Sequence, residues 1–213
     1  MRQTKPLYLM ISQTDGKVGK VIRRFTHYTY NHVSLSLDPT FRSWVSFARY
    51  YCNVPLYGGF ISETAERYLA RGNEVPVRLF QVDIPPERYH HLEKLFSLAG
   101  NPRSGLIYNT FDALASASGH RVRLPDAYTC LSFACAVLGL RFRSIQEMDQ
   151  YLEPNLIFEG DFGRLAEDCG DRDDQYFTRL GKVRGTWVTL IHFTRLVRRI
   201  FRLDRSHHFS LPR

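Results

Sequence analysis

The chain has no apolar run approaching the ~18 residues that a membrane-spanning helix needs. It has no Cys-x-x-Cys pair, no internal repeat and no low-complexity tract. The start, MRQTKPLYLMISQTDGK, carries an apolar run of only about six residues and no small-residue cleavage site, short of a signal-peptide core. Acidic residues are in deficit: 21 Asp and Glu stand against 29 Lys and Arg, a net charge of +8. That balance favours anionic partners without choosing among them. Cysteine is scarce, with Cys52, Cys130, Cys135 and Cys169 at spacings that fit neither a disulfide scaffold nor a zinc site. These read as free thiols in a reducing compartment, and the expected location is the cytoplasm. The stretch Gly16-Lys17-Val18-Gly19-Lys20 lacks the spacing of a phosphate-binding loop. No metal or cofactor site is expected.

What is present is enough apolar material, 44% of 213 residues, to bury a core without staples. The expected organisation is one main domain over residues 1–185 and a basic C-terminal helix and tail over 186–213. Pro6 to Ser12 reads as a buried strand and Val18 to Phe25 as helical spacing. Val33, Leu35 and Leu37 alternate with His32, Ser34 and Ser36, predicting a half-buried strand whose polar face meets solvent or a cleft. Ser43 to Arg49 follows as its hairpin partner. Tyr57-Gly58-Gly59-Phe60 reads as a loop in which glycine either lets backbone approach a ligand or makes a plain tight turn. Further along, Thr64 to Ala70 reads as a short helix, Val75 to Val82 as a strand, and Pro86 to Leu98 as a helix with proline in its first turn. Asn101 to Gly105 is a turn and Tyr128 to Leu138 a compact apolar helix. Glu159 to Gly185 reads as loop, and Trp187 to Leu203 as a last helix. Runs of strands followed by runs of helices predict an α+β fold with an antiparallel sheet and helices on one side.

Cys130 falls where the apolar helix begins, behind Thr129 as N-cap and the break at Pro125-Asp126. A thiol there meets the positive end of the helix dipole, which favours its thiolate. Such a nucleophile needs a base that works near neutral pH. His32 is the best placed of eight histidines, because a strand fixes its direction; His27, His90, His91, His207 and His208 are less constrained. The competing reading is that Cys130, like Cys135, is a small core residue. Cys52 and Cys169 read as ordinary loop thiols.

The segments YNHVSLSLD, SWVSFARYY with PLYGGFISE, and YTCLSFACAVL, in that order, resemble the circularly permuted branch of the NlpC-type papain-like superfamily. That branch includes the YiiX-like bacterial proteins and, more distantly, the lecithin–retinol acyltransferases. The resemblance covers roughly residues 5 to 140. It implies a permuted papain-like fold in which a His-bearing strand comes first and a Cys-bearing helix packs against the antiparallel sheet. It further implies Cys130 as nucleophile, His32 as base, and a cysteine hydrolase or acyltransferase acting on an amide or ester of a peptide or lipid. Tyr108-Asn109 also recurs there and reads as structural. A third, polar residue orients the base from a neighbouring strand in that family. Trp44 stands near its expected place and is not polar, which leaves Ser46 and Glu63 as candidates. The alternative is an inactive papain-like protein that binds an anionic partner or membrane surface.

The tail offers two readings, of which a membrane surface is one. Phe193, Leu196, Val197, Ile200, Phe201 and Leu203 fall on one side of a helix, and Arg195, Arg198, Arg199 and Arg202 on the other. Residues 187–205 therefore read either as packed on their own domain or as docking on an anionic surface. Nucleic acid ranks low, because the basic residues are not interleaved with aromatics in one stripe.

Overall fold

A computed structural model describes residues 3–14, 23–24, 26–69, 74–116, 120–165 and 174–201. The helix expected over Val18 to Phe25, Cys169, His207, His208 and the tail beyond residue 201 lie largely or wholly outside that set. The described elements are β1 (Lys5–Ser12), β2 (His32–Ser36), β3 (Ser43–Arg49), β4 (Gly58–Thr64), α1 (Ala65–Leu69), β5 (Pro76–Ile84) and α2 (Pro86–Phe96), then β6 (Ile107–Tyr108), α3 (Thr110–Ser116), β7 (Ala127–Tyr128), α4 (Cys130–Leu138), α5 (Ile145–Leu152), β8 (Leu156–Asp161) and α6 (Lys182–Ile200). The fold is α+β, built on one eight-stranded sheet in the order β7-β6-β4-β3-β2-β1-β5-β8.

The sheet is mixed, not antiparallel throughout. β6 and β7 run parallel, with Ile107 opposite Ala127 and Tyr108 opposite Tyr128. A parallel pair needs a crossover, and α3 with the loop after it supplies one. The other ladders are antiparallel, among them Ser12 opposite His32 and Trp44 opposite Glu63.

The two faces of the sheet bury different things. On one face Leu7, Leu9, Ile11, Val33, Leu35, Val45, Phe47 and Phe60 meet α2, α4 and α5 through Leu92, Leu95, Phe133, Ala134, Val137, Met148 and Leu152. On the other, Tyr8, Met10, Trp44, Val77 and Leu79 pack with Ala65 and Tyr68 of α1 and with Phe162. This second layer corrects the reading of β2. All five of its residues are buried, and Ser34 is fully so. Alternation assigned its faces correctly but could not foresee that α1 covers the polar one.

The Tyr57 to Phe60 segment is also corrected. Gly58 and Gly59 begin β4, and neither forms a free turn. A Cβ on Gly58 would stand 2.5 Å from the carbonyl oxygen of Ala48, and one on Gly59 would stand 2.1 Å from the Tyr50 hydroxyl. Glycine is here because backbone and ring occupy the space a side chain would need. Gly58→Ala should destabilise the fold by about 2 kcal/mol, since backbone cannot yield as a side chain can. An unchanged chemical-denaturation midpoint would show that β3 and β4 part freely.

α4 starts at Cys130, with Tyr128 in β7. The loop expected from Glu159 holds the end of β8, and α6 begins at Lys182, so it crosses the 185/186 boundary. α6 docks on β6 and β7 by Leu196, which packs with Ile107 and Ala127. Gly185 lies against Val54, and the Arg199 guanidinium donates to the Gly105 carbonyl. The tail reading is therefore rotated. Of its apolar side, Leu196 is buried, while Val197, Ile200 and Phe201 are exposed; of its arginines, Arg199 faces inward. Phe193 is half-buried, edge-on to Phe111.

Candidate active site

The site is assembled from the start of one helix and the edges of two strands. Thr129 caps α4: its hydroxyl accepts from the Ser132 amide at 3.2 Å, and the Ser132 hydroxyl accepts from the Thr129 amide at 2.7 Å. This reciprocal cap satisfies backbone donors that a helix start leaves open. Asp112, buried on α3, receives the Thr129 hydroxyl at 3.4 Å and the Val122 amide at 2.9 Å, tying the cap to the crossover. Asn109 serves the same corner, donating to the Val122 carbonyl and accepting from the Asp112 amide. Cys130 is thus the first residue of a fixed helix, half-buried at the wall of a cleft.

His32 opens β2, and its ring lies near enough to the Cys130 sulfur for each to shift the other's protonation. Its Nε2 lies 3.0 and 3.1 Å from the two carboxylate oxygens of Glu63, on β4 beyond β3. With Nε2 held there, Nδ1 is the ring nitrogen left for the thiol. Glu63 is itself held: Ser34 Oγ donates to it at 2.6 Å, Tyr68 OH donates at 2.8 Å, and Arg67 Nε stands 3.5 Å away. The β4–α1 junction explains this. Glu63 is the last residue but one of the strand, Arg67 lies four residues on in α1, and Tyr68 follows it, so one short segment supplies the carboxylate and two of its partners.

Electrostatics follow from that arrangement. Burial alone would push an imidazolium down, but the Glu63 charge and the hydrogen bonds to Cys130 and Glu63 overcome it, and His32 is raised to about 10. Burial pushes the Cys130 thiol up. The hydrogen bond and charge of His32, with the Val33 and Leu131 amides, outweigh it and bring Cys130 below its ordinary value. Burial likewise works against the Glu63 carboxylate, yet His32 and Arg67 hold it well below the usual range. The pair therefore favours thiolate and imidazolium. Cys135 differs: burial pushes its thiol up.

Cys130 opens into a cleft of about 280 Å³ whose walls include Tyr28, Tyr30, Tyr108, Arg121 and Arg143. Burial, then the nearby sulfur, pushes the Tyr108 phenol up. The Tyr28 hydroxyl donates to Asp149, which Arg78 also engages at 2.5 Å. Arg78 binds Glu153 and Glu159 as well, anchoring that wall to the sheet.

Of the residues singled out in the sequence, Cys130, His32 and Glu63 come together. Ser46 does not join them: it is fully buried and its hydroxyl meets no partner among the described residues. Trp44 fills the place expected for the orienting residue, its indole N–H donating to the Phe41 carbonyl, and its register partner Glu63 brings the carboxylate. Tyr68, Ser34 and Arg67 were missed; their only sequence signal was proximity to Glu63 or His32. His90 and His91 lie on α2, away from this cluster. Cys52, Cys130 and Cys135 are free thiols. Among the described residues no group of three His, Cys, Asp or Glu side chains could hold a metal ion, and no helix is long and apolar enough to cross a membrane. No family model, curated protein or solved structure matches this chain.

Proposed function

We propose that the protein is a cysteine hydrolase or acyltransferase of permuted papain-like architecture, working through a thioester. The observation that carries this reading is Cys130 at the capped start of α4 with His32 near it, the His32 ring held at 3.0 and 3.1 Å by the buried carboxylate of Glu63. The Cys130 thiolate attacks an amide or ester carbonyl, forming a C–S bond. The Cys130 amide, in the first turn of α4, donates to the developing oxyanion. His32 passes its proton to the leaving nitrogen or oxygen as the C–N or C–O bond breaks. Water or a second acceptor, deprotonated by His32, then releases the acyl group. Glu63 is a positioning residue: it fixes the ring and stabilises the imidazolium. A reactive free thiol suits a reducing compartment, and a cytoplasmic location is part of the same proposal.

Iodoacetamide at about pH 6, read by peptide mass spectrometry, tests it. An ordinary thiol is well under 1% thiolate at that pH. Cys130 should be alkylated at least tenfold faster than Cys135, even allowing for the lower nucleophilicity of an acidic thiolate. Equal slow labelling of both would sink the reading, leaving an inactive binding protein in its place.

A further inference from the structure

α6 has two faces, and only one is used by the fold. Gly185, His192, Leu196 and Arg199 face inward, with His192 Nε2 3.1 Å from the Thr110 hydroxyl. At about 100° per residue, Val183, Trp187, Leu190, Val197 and Phe201 fall on the opposite side. They are exposed: Val183 86%, Trp187 61%, Leu190 57%, Val197 40% and Phe201 67%. A largely apolar stripe, interrupted by exposed Thr194, on a helix already docked by its other face, is unusual for a solvated surface.

Charge identifies what fits it. Arg184, Arg195 and Arg198 are exposed along one flank of the stripe, and Lys182 lies on the other. We propose that this outer face of α6 seats the protein on an acidic bilayer, with the apolar stripe in the interface and the arginines among anionic headgroups. A helix lying in a bilayer surface needs this division: apolar side chains downward, basic residues at the headgroup level, and an aromatic such as Trp187 at the boundary. A second copy of the chain fits less well. An antiparallel two-fold contact through the stripe would bring the same arginines against one another, and a parallel one would set them against Lys182, in a chain already carrying +8. The inner face keeps the helix on β6 and β7, so docking requires no unfolding of α6.

The chain carries its own probe. It has two tryptophans, and Trp44 is fully buried, so an emission shift on binding reports Trp187. The full chain is titrated with vesicles of phosphatidylcholine containing about a third phosphatidylglycerol, and with phosphatidylcholine alone. A blue shift and co-flotation with the acidic vesicles, weakening as salt shortens electrostatic reach, are expected. Leu190→Glu with Val197→Glu should reduce partitioning at least tenfold. Each of Arg184→Gln, Arg195→Gln and Arg198→Gln should reduce it about fivefold. Both sets alter exposed positions, and an unchanged thermal transition will show that the fold persists. Equal partitioning by these variants, or no shift with acidic vesicles, overturns the proposal. So does a Trp187 already blue-shifted in a lipid-free dimer detected by light scattering, which would make a second copy the occupant. The Cys130 labelling rate is read independently, so failure of docking leaves the thiol assignment standing.

Discussion

Cys130→Ala should lower turnover of any amide or ester substrate by roughly a thousandfold or more, while leaving the fold in place. The covalent route needs the sulfur, and among the described residues of the cleft no other can form a thioester. His32→Ala should fall nearly as far, because the thiolate then loses its proton donor and its counter-charge. Cys135→Ala should remain active, since that thiol sits on the far side of α4 from His32 and faces the Phe142 amide. Steady-state kinetics on the purified variants, with thermal melts as a control on folding, decide this. A Cys130→Ala protein that still turns substrate over would end the assignment.

Glu63→Gln should cost about 3 kcal/mol of stability and also disarm the thiol. The change keeps the shape but removes the buried charge that faces His32 and Arg67, and it turns one acceptor for Ser34 and Tyr68 into a donor. Without Glu63 the imidazolium is less favoured, and so is the thiolate it accompanies. The acid limb of Cys130 alkylation should move to higher pH by at least one unit. An unmoved limb in a folded variant would show that Glu63 only packs.

The pH dependence of stability has a definite sign. Glu63 is held low, so its contribution is fully present above about 4.3 and lost as pH falls. His32 is raised, so its contribution is fully present below about 6.5 and lost as pH rises toward its folded value. Cys130, held low, titrates in the opposite sense to His32 and masks this. In the Cys130→Ala background the masking is gone. The urea midpoint should then fall between about pH 6 and about pH 9, and adding Glu63→Gln should flatten that fall.

Some of this was legible in the sequence and some was not, for physical reasons. The start of α4 was legible because capping is local: Thr129, a preceding break and an apolar run suffice. The direction of His32 was legible from strict alternation along β2. The burial of that polar face was not, because it depends on α1 folding back beneath the sheet. Gly58 and Gly59 read as a loop because glycine in isolation signals one, while the real constraint is the Ala48 carbonyl for Gly58 and the Tyr50 ring for Gly59. The end of β8 was read as loop because Glu159, Gly160 and Asp161 carry turn chemistry, and its start at Leu156 was not assigned. α5 was missed although Ser144 caps it by accepting from the Glu147 amide, a signal within reach of the sequence. Glu63 was one of two candidates for the third residue. What separates it from Ser46 is register: only the pairing of Trp44 with Glu63 shows which carboxylate comes near the base.

The order of these parts along the chain bears on when the thiol acquires its reactivity. His32, Ser34, Glu63, Arg67 and Tyr68 come from one continuous stretch, closed by antiparallel neighbours β2, β3 and β4. Such short-range contacts carry little loop-closure cost and can form early. Cys130 arrives much later, after the crossover through α3 and only once its helix docks against β2 and β3. On the proposed mechanism a ribosome-bound or partly folded chain therefore carries an assembled proton donor and an ordinary thiol, and Cys130 becomes reactive only when α4 docks on the sheet.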